Sequence, residues 1–581
     1  MKRKEVFVMD TGKAIILSNG KLYKSNEQME VAEAAAIKDG SFIKVGTLAE
    51  CRSAAPEASE IDLQGRLVLP GLIDGHTHPE TIAKSRWRVQ MPEFEDMHQL
   101  LSFVKEYCET HPVSEVPYFF GECYPPTMFD EKGPRKEWID EYVSDRPVRL
   151  QDFTDHACWY NSKALELMGI DKHTDETSTA PFFVRDETGE PTGWVLEPIP
   201  TAPFEDTLYD RIGWHPPTTV TEETLSPFLD FLKSYGVIGI LDGITEGEDA
   251  MKLYYDMDKA GTLNMYYEGT CQLESFDKLE DCIATLRNWQ EKYTSEHVGI
   301  HTVKFFLDGT NEMGNSASLK PHYNDPTKRN YGQINMSEVE LTKVLLRLNQ
   351  EKLDLHIHVV CDRGFRTACD AYEKAKKQVE QEGGTWDIYM ELAHCELVHP
   401  DDRRRPAELG IIINWSCHWA GGYFGEGAID YLGQERWNTM YDFTEMVDSG
   451  AVVTYSSDVI GMCEEHRGNP FFGMEISATR VDPEEPLDSK KYPGSVRPPK
   501  SAKLSIGDLI AGYTRLGAIP LRLEDKTGTI EEGKRANLVV LDRNIFQIPS
   551  DELHEVEAEA VMFEGRFTVL RHPEAFQPKG A

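Results

Sequence analysis

The sequence LVLPGLIDGHTH, residues 67–78, gives the first indication of the fold. It is a nearly continuous apolar run that ends in two histidines two positions apart, His76 and His78. Such runs are typical of parallel strands that are buried on both faces, and barrel active sites gather at the C-terminal ends of these strands. Because side chains alternate along a strand, we expect both imidazoles on one face, where together they can bind a metal ion.

Seven further apolar runs follow along the chain and are also predicted to be strands. They cover residues 236–243, 263–271, 299–309, 353–360, 388–396, 410–418 and 451–459. Amphipathic helical patterns separate most of them, and Ser337 with Glu340 predicts a capping box at the start of one helix. This alternation predicts an α/β fold, either a (β/α)8 TIM barrel or an open doubly wound sheet.

Two regions do not fit a plain barrel. Both chain ends contain short β-rich stretches with glycine turns, such as residues 14–23 and 558–570, and they predict one composite β-sandwich domain from residues 1–65 and 522–581. The barrel then takes residues 66–521. A long insertion subdomain, about residues 82–235, follows its first strand, and an insertion of that length is usually functional or a subdomain.

The composition restricts the partners. The 581 residues carry a net charge of -38, and so acidic a surface repels nucleic acid and anionic membranes. There is no apolar run long enough to span a bilayer and no clear signal peptide, so we expect a cytoplasmic protein with a small-molecule substrate. A homodimer is the default oligomer. The 11 cysteines are scattered without a CxxC pair, which argues against a disulfide framework.

Four more polar residues stand at the ends of other predicted strands: Lys304, His358, His394 and Asp458. A lysine inside a barrel strand has no aqueous surface, so it must lose its charge or find a partner. Together with His76 and His78, these residues offer nitrogen and oxygen ligands without a thiolate. That set favours zinc or a similar first-row divalent ion.

The order of the motifs carries a resemblance to a known family. LPGLIDGHTH, VKFFLDGT, HIHVVCDRG, LAHCELVHPDD, SSD and GTIEEGKRANLVVLD resemble the amidohydrolase superfamily, and within it amidohydrolase family 3, the YtcJ-like metal-dependent hydrolases related to N-substituted formamide deformylase. In the insertion, DHACWYNSKAL and DETGEPTGWVLE resemble signatures of the same branch. Asn537 stands where the family usually has aspartate, and we expect it in a surface loop.

The resemblance implies a TIM barrel that holds two divalent metal ions, most commonly zinc. The implied ligands are His76, His78, Lys304, His358, His394 and Asp458, with Lys304 carboxylated on its side-chain nitrogen. The implied reaction is hydrolysis of a linear amide C–N bond of the N-acyl or N-formyl type by a metal-bridging hydroxide, and Asp458 is the expected catalytic base.

Two alternatives stay open at this point. The same site could hydrolyse a cyclic amide or a lactone, or deaminate a heterocycle, and a more remote alternative is a catalytically silent scaffold. Six further residues are candidates for substrate binding because they lie in family-like stretches of the insertion or near the ligands: His156, Asn161, Glu197, His356, Trp415 and His418.

Overall fold

The computed structural model describes residues 14–92, 94, 96–124, 128–129, 132–152, 157–174, 183–196 and 201–578. The chain divides into two compact units. One unit contains residues 1–80, 226–459 and 467–581, and the other contains residues 81–225 and 460–466. Within the described ranges, none of the helices is both long and apolar enough to cross a membrane.

The strands are numbered in chain order. Those before the barrel are β1 (Ile15–Ser18), β2 (Lys21–Tyr23), β3 (Val31–Ala32), β4 (Ala34–Lys38), β5 (Ser41–Gly46), β6 (Ser59–Asp62) and β7 (Leu67–Pro70). The barrel begins with β8 (Leu72–Thr77), and the inserted unit contains β9 (Val89–Gln90), β10 (Phe119–Tyr124), β11 (Val148–Asp152), β12 (Ala157–Tyr160), β13 (Phe183–Arg185) and β14 (Pro191–Leu196). The barrel continues with β15 (Val237–Asp242), β16 (Tyr266–Gln272), β17 (Val298–Phe306), β18 (Asp354–Val359), β19 (Met390–His394), β20 (Ile412–Ser416) and β21 (Val453–Ser456). The last strands are β22 (Leu538–Leu541), β23 (Ala558–Phe563) and β24 (Arg566–Leu570).

The helices are numbered in the same way. The first seven are α1 (Leu48–Ala54), α2 (Pro79–Ser85), α3 (Met97–Thr110), α4 (Lys136–Asp140), α5 (Ser162–Met168), α6 (Ala202–Ile212) and α7 (Glu222–Ser234). The others are α8 (Glu248–Ala260), α9 (Leu279–Tyr293), α10 (Glu338–Glu351), α11 (Asp362–Gln381), α12 (Arg405–Leu409), α13 (Ile429–Leu432), α14 (Gln434–Trp437), α15 (Thr444–Asp448), α16 (Pro470–Thr479) and α17 (Ile506–Tyr513). Short 3-10 turns cover Phe276–Lys278, Pro400–Asp402, Cys417–Ala420, Met462–Gly468, Pro493–Ser495, Ser550–Glu555 and Pro573–Phe576.

The central sheet confirms the predicted barrel and excludes the open doubly wound alternative. Its eight strands follow the order β8-β15-β16-β17-β18-β19-β20-β21, all neighbours are parallel, and sequence neighbours are also spatial neighbours. A doubly wound sheet would instead show a reversal of strand order. The first and last strands meet through hydrogen bonds, since Asp458 N donates to His76 O at 2.8 Å and His78 N donates to Val459 O at 3.3 Å.

The run at residues 67–78 is two strands and not one. β7 pairs with β2 and β22 in a sheet of the chain ends, whereas β8 pairs with β15 in the barrel. Gly71 separates them, and a Cβ at this position would lie 2.3 Å from Cγ1 of Ile238. The glycine therefore lets the chain pass closely over the second barrel strand as it changes sheet.

The two chain ends form a sandwich, as predicted. One sheet has the order β5-β4-β1-β6, and the other has the order β24-β23-β22-β7-β2-β3, so the second sheet combines both ends of the chain. Between the sheets lies an apolar core that includes Leu17, Ile37, Leu538 and Met562.

The expectation that Asn537 lies in a surface loop is wrong. It is 1% exposed, its Nδ2 donates to Thr527 Oγ1, and its Oδ1 accepts from Glu564 N. These two hydrogen bonds fix the turn before β22.

The inserted unit has its own six-stranded sheet, in the order β13-β14-β12-β11-β10-β9. β13 and β14 form an antiparallel hairpin. Two aromatic cores cover the faces of this sheet, one around Tyr160 and one around Trp159. Of the cysteines whose side chains the structure describes, nine are free and buried, and Cys463 is disulfide-bonded.

His301 lies between two carboxylates inside the barrel unit. Its Nδ1 is 2.7 Å from Glu268 Oε1, and its Nε2 is 3.3 Å from Asp354 Oδ2. Arg522 contacts the other oxygen of that carboxylate, Oδ1, at 2.6 Å. Although burial alone would lower it, the two carboxylates together raise the pKa of His301 from 6.5 to about 10. The imidazolium therefore stabilises the folded state fully below pH 6.5, and this contribution is lost as the pH rises towards 10.

We expect His301→Gln to flatten the pH dependence of stability. From about pH 7 to about pH 9, the wild-type free energy of unfolding should fall faster than that of the variant, by up to about 1 kcal/mol per pH unit. Denaturant titrations at several pH values measure the two slopes. Equal slopes would show that the imidazole is not charged in the folded state.

Candidate metal centre

The two histidines of the first barrel strand converge with an aspartate that follows the last strand. The Nε2 atoms of His76 and His78 are 3.2 Å apart. Oδ1 of Asp458 lies 3.5 Å from Nε2 of His76 and 3.3 Å from Nε2 of His78. Each residue offers one ligand atom, and the three atoms lie within 4.8 Å of one another, so the group could hold a metal ion.

Lys304 on β17 reaches the same place from within the barrel. Its Nζ is 3.5 Å from Nε2 of His76 and 5.0 Å from the centre of the Phe306 ring. The side chain is buried, and the loss of hydration lowers its pKa to about 8. An amine in this position is more easily deprotonated than a surface lysine.

His358 and His394 form the other side of the cluster. Their ring centroids are 4.5 Å apart, and Nδ1 of His394 is 3.3 Å from Oδ2 of Asp458. Nε2 of His358 lies 3.3 Å from the carbonyl oxygen of Gly309. Because that carbonyl can only accept, Nε2 carries the hydrogen and Nδ1 keeps the lone pair. Asp458 thus stands between His76 and His78 on one side and His394 on the other.

The buried imidazoles are in the state that a metal requires. Burial lowers the pKa of His76 and of His394 well below the usual value, and burial followed by the charge of Lys304 lowers the pKa of His358 to about 3. Neutral imidazoles keep one nitrogen lone pair for a metal ion.

Two further observations fit a bound metal. Nδ1 of His394 is buried and, although Oδ2 of Asp458 lies 3.3 Å away, it makes no hydrogen bond within the described part of the chain, which is costly unless another partner satisfies it. Gly243, directly after β15, leaves space beside the histidines, because a Cβ there would lie 2.5 Å from Nε2 of His76.

The backbone holds several of these groups in uncommon conformations. His394 has φ of 75° and Asp458 has φ of 49°, both in the left-handed region. Asp74, two residues before His76, accepts hydrogen bonds from Ser457 N at 3.0 Å and from Ser457 Oγ at 2.6 Å. This carboxylate fixes the segment that carries Asp458, and its role was not predicted from the sequence.

His356 lies behind the cluster. Its Nε2 is 2.8 Å from Nδ1 of His76, and its Nδ1 is 2.7 Å from Oε2 of Glu391. His356 therefore connects a candidate metal ligand to a buried carboxylate. Glu391 was not predicted as a site residue. It could have been found in the same way as Lys304, because both are charged residues inside an apolar strand.

The other candidate residues are placed as follows. Trp415 is buried on β20, where its ring packs against that of Phe443 with the centroids 4.3 Å apart. Its neighbour Ser416 donates a hydrogen bond to Asp458. His418 is buried with its ring 6.2 Å from that of Trp419. In the inserted unit, Asn161 caps α5 and hydrogen-bonds its local backbone. His156 and Glu197 lie outside the described residues.

Trp419 borders the cluster directly. Its ring is stacked on that of His394, with centroids 5.2 Å apart and planes inclined by 12°. The ring of Phe424 lies 5.2 Å from the ring of Trp419 in a T-shaped arrangement. Partly exposed aromatic rings beside polar ligand groups are typical of a pocket wall that contacts an apolar part of a substrate.

The parallel barrel and the clustered His, Lys and Asp side chains define a barrel protein with a candidate metal centre. The family model of amidohydrolase family 3, described as an amidohydrolase family, matches residues 59–569. The match covers most of the chain, so the protein belongs to the amidohydrolase family and is a hydrolase that acts on carbon–nitrogen bonds. This confirms the resemblance found in the sequence.

Individual relatives match almost the whole chain. The N-substituted formamide deformylase of Arthrobacter pascens is 25% identical over 569 residues, which cover 96% of this chain and 98% of the relative. The putative amidohydrolase YtcJ of Bacillus subtilis (strain 168) is 24% identical over 564 residues, 95% and 98% of the two chains. The crystal structure of an uncharacterized metal-dependent hydrolase from Pyrococcus horikoshii OT3 matches with a TM-score of 0.67 at 21% identity, over 93% of this chain and 99% of that one, which shows the shared fold.

We expect His78→Ala to weaken zinc binding by at least about tenfold, because it removes one of three converging ligand atoms. Zinc content after dialysis against a graded chelator, measured by mass spectrometry of the metal, checks this. His215→Ala is the matched control, since His215 is an exposed histidine paired with Asp210. Equal zinc retention in the two variants would contradict the site.

Proposed function

We propose that the protein is a metal-dependent amidohydrolase that cleaves a linear amide bond of the N-acyl or N-formyl type. One observation carries the proposal. Six polar side chains from the ends of the barrel strands converge on one place, and a buried lysine stands among them. A barrel interior is normally filled by branched apolar side chains, so such a cluster is costly unless it binds something.

The residues divide into two groups that could each hold a divalent ion. His76, His78 and Asp458 form the first group, and His358 and His394 form the second, while Lys304 lies beside His76. Nitrogen and oxygen donors of this kind suit zinc. Bound divalent ions would lower the pKa of a water molecule and polarise the carbonyl oxygen of the substrate.

We further propose that Lys304 is carboxylated. Its deprotonated Nζ would form a bond to the carbon of carbon dioxide and release one proton, which gives an anionic carbamate with two oxygen donors. This change removes the difficulty of a buried ammonium group and supplies charge that balances nearby cations.

Asp458 is suited to carry the proton. Its Oδ1 faces His76 and His78, and its Oδ2 accepts a hydrogen bond from Ser416 Oγ at 3.4 Å. The carboxylate would accept a proton from the attacking water and deliver it to the nitrogen that leaves. Water and amide are thereby converted to a carboxylic acid and an amine, or to formate and an amine for a formamide.

The relatives and the aromatic wall favour a substrate with an apolar substituent. The relative from Arthrobacter pascens is named as a deformylase of N-substituted formamides. In this chain, Trp419 stacks on His394 beside the ligands and could contact an apolar group on the amide.

We expect Asp458→Asn to lower kcat by about 100-fold or more, because the amide cannot accept the proton, while much of the metal stays bound. Steady-state kinetics and metal content of the same preparation check both parts. Asp488→Asn, on the exposed surface, is the matched control. A variant with wild-type kcat would exclude the role of Asp458.

A substrate screen tests the reaction class. Enzyme loaded with zinc in bicarbonate should release amine from N-formyl or N-acyl amines and leave lactones and cyclic amides unreacted. Release of ammonia from a heterocycle, together with one zinc per chain and unmodified Lys304, would instead establish the deaminase alternative.

A further inference from the structure

A chain of buried polar side chains runs beneath His76. Nδ1 of His76 is 2.8 Å from Nε2 of His356, and Nδ1 of His356 is 2.7 Å from Oε2 of Glu391. Oε1 of Glu391 accepts from Thr454 Oγ1 at 2.8 Å, and Thr454 Oγ1 accepts from Asn414 Nδ2 at 2.9 Å. The amide oxygen of Asn414 in turn accepts from Ser456 Oγ at 2.8 Å.

The strands place these groups at matching heights. Lys304 and His356 are register partners on β17 and β18, and His356 and Glu391 are register partners on β18 and β19. Asn414 and Thr454 are partners on β20 and β21. The chain of contacts thus crosses the barrel interior. Gly75 leaves room for the side chain of Asn414, because a Cβ at position 75 would lie 2.5 Å from Asn414 Nδ2.

The hydrogen bonds fix where each hydrogen lies. The hydroxyl of Thr454 accepts from the amide of Asn414 and donates to Oε1 of Glu391 at 2.8 Å, which is closer than its other acceptor, the carbonyl oxygen of Ile413 at 3.3 Å. With Oε2 of Glu391 as the acceptor, Nδ1 of His356 donates and its Nε2 accepts. Nδ1 of His76 therefore donates to His356, which leaves the lone pair of His76 on Nε2.

We infer that His356 and Glu391 are positioning residues that hold His76 in the one tautomer and orientation in which Nε2 faces His78 and Asp458. This inference rests on the proposed function, since it assigns the Nε2 of His76 to a metal ion. Carboxylate partners of metal-bound histidines act in this way in general, and here a second imidazole is inserted between the carboxylate and the ligand.

The energetics favour this role over simple space filling. Glu391 is 3% exposed and His356 is 0% exposed. A buried carboxylate and imidazole cost more than the branched apolar side chains that fill most barrel interiors. Their retention at the height of His76 is explained if they orient that ligand.

Glu391→Gln tests the inference. The glutamine fills the same space but can present its NH2 group to His356, which then no longer has to accept from His76. We expect zinc affinity, measured by chelator competition, to fall by about 10- to 100-fold, and the visible spectrum of the cobalt-substituted protein to change. His356→Gln should retain more affinity than His356→Leu, because the glutamine side chain can still accept from Nδ1 of His76.

Glu268→Gln is the matched control. Glu268 is also a buried barrel glutamate that contacts a histidine, His301, but it is not connected to the ligands. We expect Glu268→Gln to lower the free energy of unfolding and to leave the zinc affinity and the cobalt spectrum unchanged.

The outcomes separate this inference from the proposed function. Equal zinc affinity and equal cobalt spectra in the wild type and in Glu391→Gln would overturn the inference, as would equal losses in Glu391→Gln and Glu268→Gln. A selective loss in Glu391→Gln supports it even if no amide is hydrolysed, in which case only the proposed reaction fails. A wild type that binds no zinc or cobalt would overturn both.

Discussion

The candidate centre depends on how the first and last barrel strands are joined. Asp458 N donates to His76 O at 2.8 Å, and the carboxylate of Asp74 accepts from both the backbone and the hydroxyl of Ser457. These bonds close the barrel and bring together two segments that are far apart in the sequence, since Asp74 and Ser457 are separated by 383 positions. Without them, His76 and His78 would not meet Asp458.

The closed barrel makes buried polar groups tolerable. Near the ligands, hydrogen bonds satisfy His356, Glu391, Thr454 and Asn414 in an unbroken series. At a second place, His301 is held between Glu268 and Asp354. Polar groups in an interior of low dielectric are costly one by one and stable when every partner is satisfied. In contrast to these satisfied groups, Nδ1 of the candidate ligand His394 has no hydrogen bond among the described residues.

Much of this arrangement could be predicted from local patterns. The apolar runs identified the eight strands, and side-chain alternation placed His76 and His78 together. Lys304 was found because a charge inside an apolar run needs an explanation. The same alternation, applied to β20, would have placed Trp415 on the opposite face from Ser416, which points to Asp458.

The remaining features depend on contacts between distant segments. The bond from Asp74 to Ser457 and the packing of Gly71 against Ile238 cannot be read from either segment alone. For the same reason, Asn537 looked like a loop residue although it is buried by partners from other elements. Substrate contacts are set by loops, which vary independently of the barrel strands.

The proposed function requires that the six side chains form one centre for two metal ions. Anomalous diffraction at the zinc edge, from crystals grown with zinc and bicarbonate, locates each bound ion. We expect two zinc peaks, one beside His76, His78 and Asp458 and one beside His358 and His394, with additional density on Nζ of Lys304. A single peak with unmodified Lys304, or no peak at these residues, would contradict it.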